Sequence, residues 1–572
     1  KEFLYFTYSE NGLAEAGLFR GNYREEAVFK LHKYYDKIEF IAENTHFYFD
    51  PKSALSRASE ANISNALLAS VKIDAESEDG QRYLINMDAV LLQEALHQVN
   101  FLADPDTPEH EQFSLGTLSE EKTRYDDLKV YPENVDIRVI YAYDNDSPYV
   151  SGGDEVTDPR SMIVTLQHTF MEMPQNNYEP RFDDARIGYF RNQVTDLTSH
   201  SITPYRDLIN RWHLEKKNPS LAISEPLEPI VWWLENTTPD AYRESIRQGV
   251  LAWNEAFEKA GFKNAIVVKD QPLDATWNAG DVRYNVLRWT SSPNPPFGGY
   301  GPSFSNPRTG QILSADIMLE DIYVSNRVRS DSIFTPDEPS STLLNQRGLS
   351  AKHCLASFNI ARGNALGRIS AAVLGNQAAT SRMVQESLYE LTLHEVGHTL
   401  GLNHNMRGSQ LVDNDKIHDA SQTKGIISSS VMDYSAVNLA PPGQKQGDFY
   451  TTHPGPYDVW AIQFGYDPDL EGVSRTAHLA RSAEPSLAFG NDADDMRSVG
   501  RAIDPKINIG DMSSDAVRYA SERFALLNET LKTLRAKMIR PDQSWAELRN
   551  AYQVIAREHQ TQARVVSRYI GG

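Results

Sequence analysis

The stretch His394-Glu395-Val396-Gly397-His398-Thr399-Leu400-Gly401-Leu402-Asn403-His404 commits three imidazoles to one small volume. On an α-helix, residues four apart share a face, so His394 and His398 can reach a single metal ion. Glu395 follows the first ligand, where its carboxylate can reach an activated water without itself ligating the metal. Gly401 stands where a helix can stop through a left-handed residue, a conformation glycine adopts cheaply. The chain can then turn back and bring in His404 as a third ligand. Three protein ligands leave one corner of a tetrahedron open for water, the arrangement of a catalytic zinc site. The bland alternative, a surface helix with scattered histidines, gives no reason for Gly401 and His404 at these offsets.

A chain of 572 residues is long enough for about two to four domains with sizeable cores. Its hydrophobic content of 40% beside 23% charged residues is that of a soluble globular protein. A net charge of -22, with no basic cluster, argues against nucleic acid and anionic membrane surfaces as partners. No apolar run approaches the roughly eighteen residues of a transmembrane segment. Cys354 is the single cysteine, so no intrachain disulfide can form. A cysteine can silence a metalloprotease by ligating its zinc, and Cys354 precedes the zinc helix. Set in the helical, half-apolar Lys352-His353-Cys354-Leu355-Ala356-Ser357-Phe358, it reads instead as a buried structural thiol. The chain opens at Lys1 with no signal-like apolar segment and closes on Gly571-Gly572, so both ends read as processing boundaries.

Residues 1–205 read as a β-rich domain. Alternating or apolar runs at 28–33, 37–41, 136–143 and 161–167 are separated by polar turns. Asp144, Asp146, Asp154 and Glu155 could hold calcium, but their spacing fits no known loop and a solvated turn is the simpler reading. Residues 206–228 read as a linker. From Pro239 an amphipathic helix runs toward Ala260 with Ile246, Val250, Trp253 and Phe257 on one face. Strands follow at 265–269, 282–289 and 310–319, then an insertion at 334–380, then the zinc helix at 383–400. A short helix at 458–464 closes a unit spanning 229–470. Residues 471–572 read as mainly helical, with Asp492, Asp494 and Asp495 in a solvated acidic loop. The fold class is therefore α+β.

Downstream of the zinc motif lies Ser429-Ser430-Val431-Met432-Asp433-Tyr434-Ser435. It resembles the methionine-containing turn of the metzincin metalloproteases, in which HExxHxxGxxH is followed by a tight turn whose methionine lies beneath the zinc. The third histidine and this turn set the chain apart from gluzincins. By that resemblance Met432 takes the place beneath the metal. Tyr434 matches a tyrosine that ligates zinc at rest and swings toward the substrate oxyanion. With Asp184-Ala185-Arg186-Ile187-Gly188-Tyr189-Phe190, Asn306-Pro307-Arg308-Thr309-Gly310 and Pro456-Tyr457-Asp458-Val459-Trp460-Ala461-Ile462, the whole chain resembles large bacterial secreted zinc metalloproteases. These join a metzincin domain to an N-terminal domain of unknown function. Asn405 departs from the acidic residue that several metzincin families carry after the third ligand, so their substrates are not carried over.

The resemblance implies one catalytic Zn2+ on His394, His398 and His404, Glu395 as general base, and a protein or peptide substrate. That substrate would lie along a cleft-edge strand at Leu313, Ser314, Ala315, Asp316 and Ile317. It also implies a secreted, periplasmic or cell-surface location. The competing reading is a latent or inactive relative whose N-terminal domain binds a surface protein or glycan.

Overall fold

The computed structural model describes residues 1–59, 61–96, 99, 108–293, 299–321, 354, 356–375, 379–496, 503–542 and 544–570. The N-terminal half is built on β1 (Glu2–Asn11), β2 (Tyr23–Tyr34), β3 (Lys37–Ala42), β4 (Ala66–Glu76), β5 (Tyr83–Ile85), β6 (Arg124–Val130), β7 (Asn134–Asp144) and β8 (Ser161–Glu172). They form one antiparallel sheet in the order β5-β4-β3-β2-β1-β8-β7, with β6 on the far side of β7. The near-continuous apolar run of β1 has a physical cause: both of its faces are buried. Phe3 and Tyr5 point into the N-terminal core with Phe29, Tyr141 and Leu166. Leu4 and Phe6 point the other way, packing with Val28 on Val282 and Phe304 of the C-terminal half.

That half carries a second sheet made of β9 (Ile230–Leu234), β10 (Ile266–Asp270), β11 (Asn285–Thr290), β12 (Gly299–Tyr300), β13 (Ser303–Ser305) and β14 (Gln311–Glu320). β10, β9, β11 and β14 lie side by side and parallel, and β12 and β13 run antiparallel along the outer side of β14. The strand expected at the cleft edge is therefore interior. β14 is paired on both sides, so Leu313–Ile317 have no free backbone edge to offer an extended chain. Asp316 in particular is buried, accepts from the Val286 amide (3.0 Å) and the Tyr23 hydroxyl (3.2 Å), and has its carboxyl pushed up to about 8 by burial. Outside β14 run residues 299–305, in a glycine- and serine-rich stretch; among the described residues no further strand pairs with them.

Helices cover the inner face of this sheet. The helix expected from Pro239 to Ala260 is broken in two, α1 (Asp240–Leu251) and α2 (Asn254–Lys259). At the break sits Trp253, fully buried, with its indole donating to the Leu393 carbonyl at 3.0 Å. Of the expected insertion, residues 334–353, 355 and 376–378 lie outside the described residues; most of the remainder is α3 (Ala356–Leu374). The zinc helix is α4 (Ala379–Thr399), followed by α5 (Pro456–Tyr466). The long helices α6 (Ala516–Met538) and α7 (Ala546–Ser567) pack on α3 through Leu366, Val373, Leu527, Leu534, Val554 and Ile555. Among the described residues no helix is long and apolar enough to cross a membrane.

The two halves are not joined by a simple linker. Ile187, Tyr189, Ile209 and Leu214 belong to the same core as Trp253, Leu391 and Met432. Polar contacts add to the junction: buried Arg288 pairs with Glu235 (3.2 Å) and with the Tyr8 hydroxyl, and Arg308 reaches Glu2 and Glu43. Each buried large apolar side chain contributes about 1.5–3 kcal/mol, so losing Leu4, Phe6, Ile187, Tyr189 and Ile209 together is comparable to the whole margin of an ordinary domain, about 5–15 kcal/mol. Residues 226–572 alone should therefore lack a cooperative thermal transition and near-ultraviolet circular dichroism. A truncated chain that melts cooperatively at the full-length temperature would contradict this packing.

Candidate metal centre

The helix that carries the histidines ends as its sequence demands. Gly401 adopts φ +97, its amide donates to the His398 carbonyl (2.9 Å) and the next amide, Leu402, donates to Gly397 (3.0 Å). This is a Schellman stop, which needs a residue content in the left-handed region. The turn is held from outside by the 187–210 segment. The Phe190 amide donates to the Gly401 carbonyl at 2.7 Å, and the Asn403 amide donates to Gly188 at 3.0 Å. A Cβ on Gly401 would lie 2.0 Å from the Asn210 carbonyl oxygen, so this wall admits only glycine.

Each histidine has its Nδ1 bonded to an acceptor, and the acceptor decides the tautomer. Nδ1 of His394 donates to the Val431 carbonyl (2.6 Å), that of His398 to the Leu402 carbonyl (2.9 Å), and that of His404 to the Asp492 carboxylate (2.7 Å). With the proton on Nδ1, the Nε2 lone pairs all turn inward. His398 Nε2 and His404 Nε2 then face each other at 3.0 Å, and two lone pairs that close call for a cation between them. All three rings are buried; burial holds His394 down to about 3 and His398 well below the usual range, which keeps both neutral and able to ligate. The residues present thus fit one zinc ion.

Asp492, expected in a solvated loop, is the anchor of the third ligand. Its position depends on a chain return that no local pattern in the sequence signals. A second anchor, Asp458, was also beyond sequence reasoning. Its carboxylate accepts from the Ser430 hydroxyl (2.7 Å) and from the Val431 and Gly455 amides (both 2.8 Å). It therefore clamps the turn whose Val431 carbonyl orients His394. The one local hint is its place in the first turn of α5, after Gly455-Pro456. Burial pushes its carboxyl up to about 7.

Met432 is fully buried and packs so closely under the zinc helix that a Cβ on Gly397 would fall 2.4 Å from its sulfur. The Tyr434 hydroxyl lies 2.9 Å from His404 Nε2. Glu395 is fully buried, and neither carboxylate oxygen makes a well-formed hydrogen bond, though the Cys354 thiol and the Gly301 amide lie beside them; burial pushes its carboxyl up to about 8. Cys354 is buried, as expected of a structural thiol, but not away from the site: its sulfur is 3.1 Å from His394 Nε2. The ligand atoms of Cys354, His394, His398 and His404 all lie within 4.8 Å of one another, the one such cluster among the described residues. Asp144, Asp146, Asp154 and Glu155 form no such group, and Asp144 is paired with Lys122 at 2.6 Å.

Replacing Asp492 with alanine should weaken zinc binding by about 10–100-fold while leaving the fold intact. Competition against a chromogenic chelator reads this directly, and an unchanged affinity would remove Asp492 from the site.

A family model described as Met-zincin matches residues 376–572, and one described as a domain of unknown function (DUF5117) matches residues 21–217. No curated protein and no solved structure matches the chain. The second match runs past the expected boundary at 205 and takes in the strand that braces Gly401. Match and geometry agree on the first: the chain carries a metzincin-like domain, with the histidine cluster on α4 and the turn after it as a metal-binding site of metalloprotease type.

Proposed function

We propose that this chain is a zinc-dependent endopeptidase. The observation that carries the reading is Glu395, a fully buried carboxylate without a well-formed hydrogen bond, set beside imidazole nitrogens that converge on one point. A buried carboxyl of that kind, without a firm partner, is costly unless it has work to do there. When bound, zinc supplies Lewis acidity that lowers the pKa of water toward about 7 and polarises a carbonyl. Glu395 takes a proton from the attacking water and later delivers it to the leaving amine. The Tyr434 hydroxyl, held over His404, donates to the oxyanion that develops on the scissile carbonyl.

The substrate main chain pairs along the outer side of β13 (Ser303–Ser305). The chain just before it passes close over the zinc helix at Gly301, where a Cβ would lie 2.6 Å from the Glu395 carbonyl oxygen. Glycine thus brings a pairing edge within reach of the general base.

Incubating the full chain with an unbiased peptide library should give internal cuts that a zinc chelator abolishes. Glu395→Gln should keep its metal and lose cleavage; wild-type cleavage by that variant would take Glu395 out of the mechanism. Tyr434→Phe should slow cleavage on the order of 10²-fold with folding unchanged, and an undiminished rate would leave the tyrosine without its role.

A further inference from the structure

We propose that Cys354 is a fourth protein ligand of the metal, which closes the site and holds the chain latent until the thiolate is displaced. Latency rests on the endopeptidase reading; ligation stands without it. The cysteine is the only one in the chain and is 1% exposed. Its sulfur lies 3.1 Å from His394 Nε2 and 3.4 Å from the Tyr434 hydroxyl. Zinc–nitrogen bonds of about 2.0–2.1 Å and a zinc–sulfur bond of about 2.3 Å give tetrahedral edges of roughly 3.3–3.7 Å. Four ligand atoms within 4.8 Å of one another match that spacing with small adjustments.

The sulfur sits between an apolar wall and the polar groups of the site. Behind it stand Met406 and Ile509, the apolar wall a packing thiol would use. Ahead of it are an imidazole nitrogen, a phenol and the Glu395 carboxylate, and the Ala356 amide donates to the sulfur at 3.3 Å. The sulfur thus occupies the space between Glu395 and the histidines that an attacking water must enter. Ligation releases the thiol proton to solvent as the sulfur–metal bond forms. Activation breaks that bond, the thiolate regains a proton from solvent, and water takes the vacated position.

Loading the full chain with cobalt(II) in place of zinc tests ligation without any assay of activity. Because there is one cysteine, a near-ultraviolet sulfur-to-cobalt charge-transfer band can come only from Cys354. The wild-type chain should show that band, and Cys354→Ser should lose it while keeping the visible cobalt bands. Bound cobalt without the band would overturn the proposal. Should the variant misfold, the wild type alone still decides: zinc should slow iodoacetamide labelling of Cys354, and equal rates with and without zinc would also overturn it. If fewer than about one chain in ten is open, Cys354→Ser should cleave the peptide library at least about tenfold faster than wild type. An unchanged rate beside a clear band would overturn latency and leave ligation standing. The band with no cleavage by either protein would instead count against the endopeptidase reading.

Discussion

Three hydrogen bonds from imidazole Nδ1 atoms hold the whole site in place. They fix the tautomers, turn three Nε2 lone pairs onto one point, and tie each ligand to a different part of the fold. His398 is oriented by the helix stop itself, through Leu402. His394 is oriented by the methionine turn, which Asp458 clamps from the start of α5. His404 is oriented by Asp492, brought back from the C-terminal region. An error in any of these tethers would rotate a ring and spoil a site whose tolerance is a fraction of an ångström.

The N-terminal half is part of this support rather than an attachment. Its central strand β1 is buried on both faces, so the two sheets share one strand's worth of side chains as common core. Its trailing segment then braces the Gly401 turn through Phe190, Gly188 and Asn210. The sheet packs against the sheet of the C-terminal half; the 187–210 segment comes near the zinc-helix turn, as does the Trp212 indole, which donates to the Thr399 carbonyl at 2.8 Å. Removing the N-terminal half would therefore strip side chains from the core of the other half.

Local chemistry was legible in the sequence and long-range approach was not. The zinc helix, its glycine stop and most strands follow from spacing, periodicity and turn residues that act within a dozen positions, whereas the methionine turn is legible only by resemblance. Cys354 and Asp492 reach the histidine cluster from 40 and 88 residues away from their histidine partners, and nothing in their neighbours signals the return. The pairing of β14 was misread because its outer neighbours, β12 and β13, are two- and three-residue strands in a glycine- and serine-rich stretch. Such strands carry no period; tertiary pairing alone defines them. The break at Trp253 was missed for a related reason: the apolar face continues across it, and only the buried indole shows where the helix must turn.

X-ray absorption at the zinc edge tests the centre most directly. The expected result is one zinc per chain with three imidazole nitrogens at about 2.0–2.1 Å and one sulfur at about 2.3 Å. A metal shell with fewer than three imidazoles would contradict the assignment of His394, His398 and His404 as the site on which the rest of the structure converges.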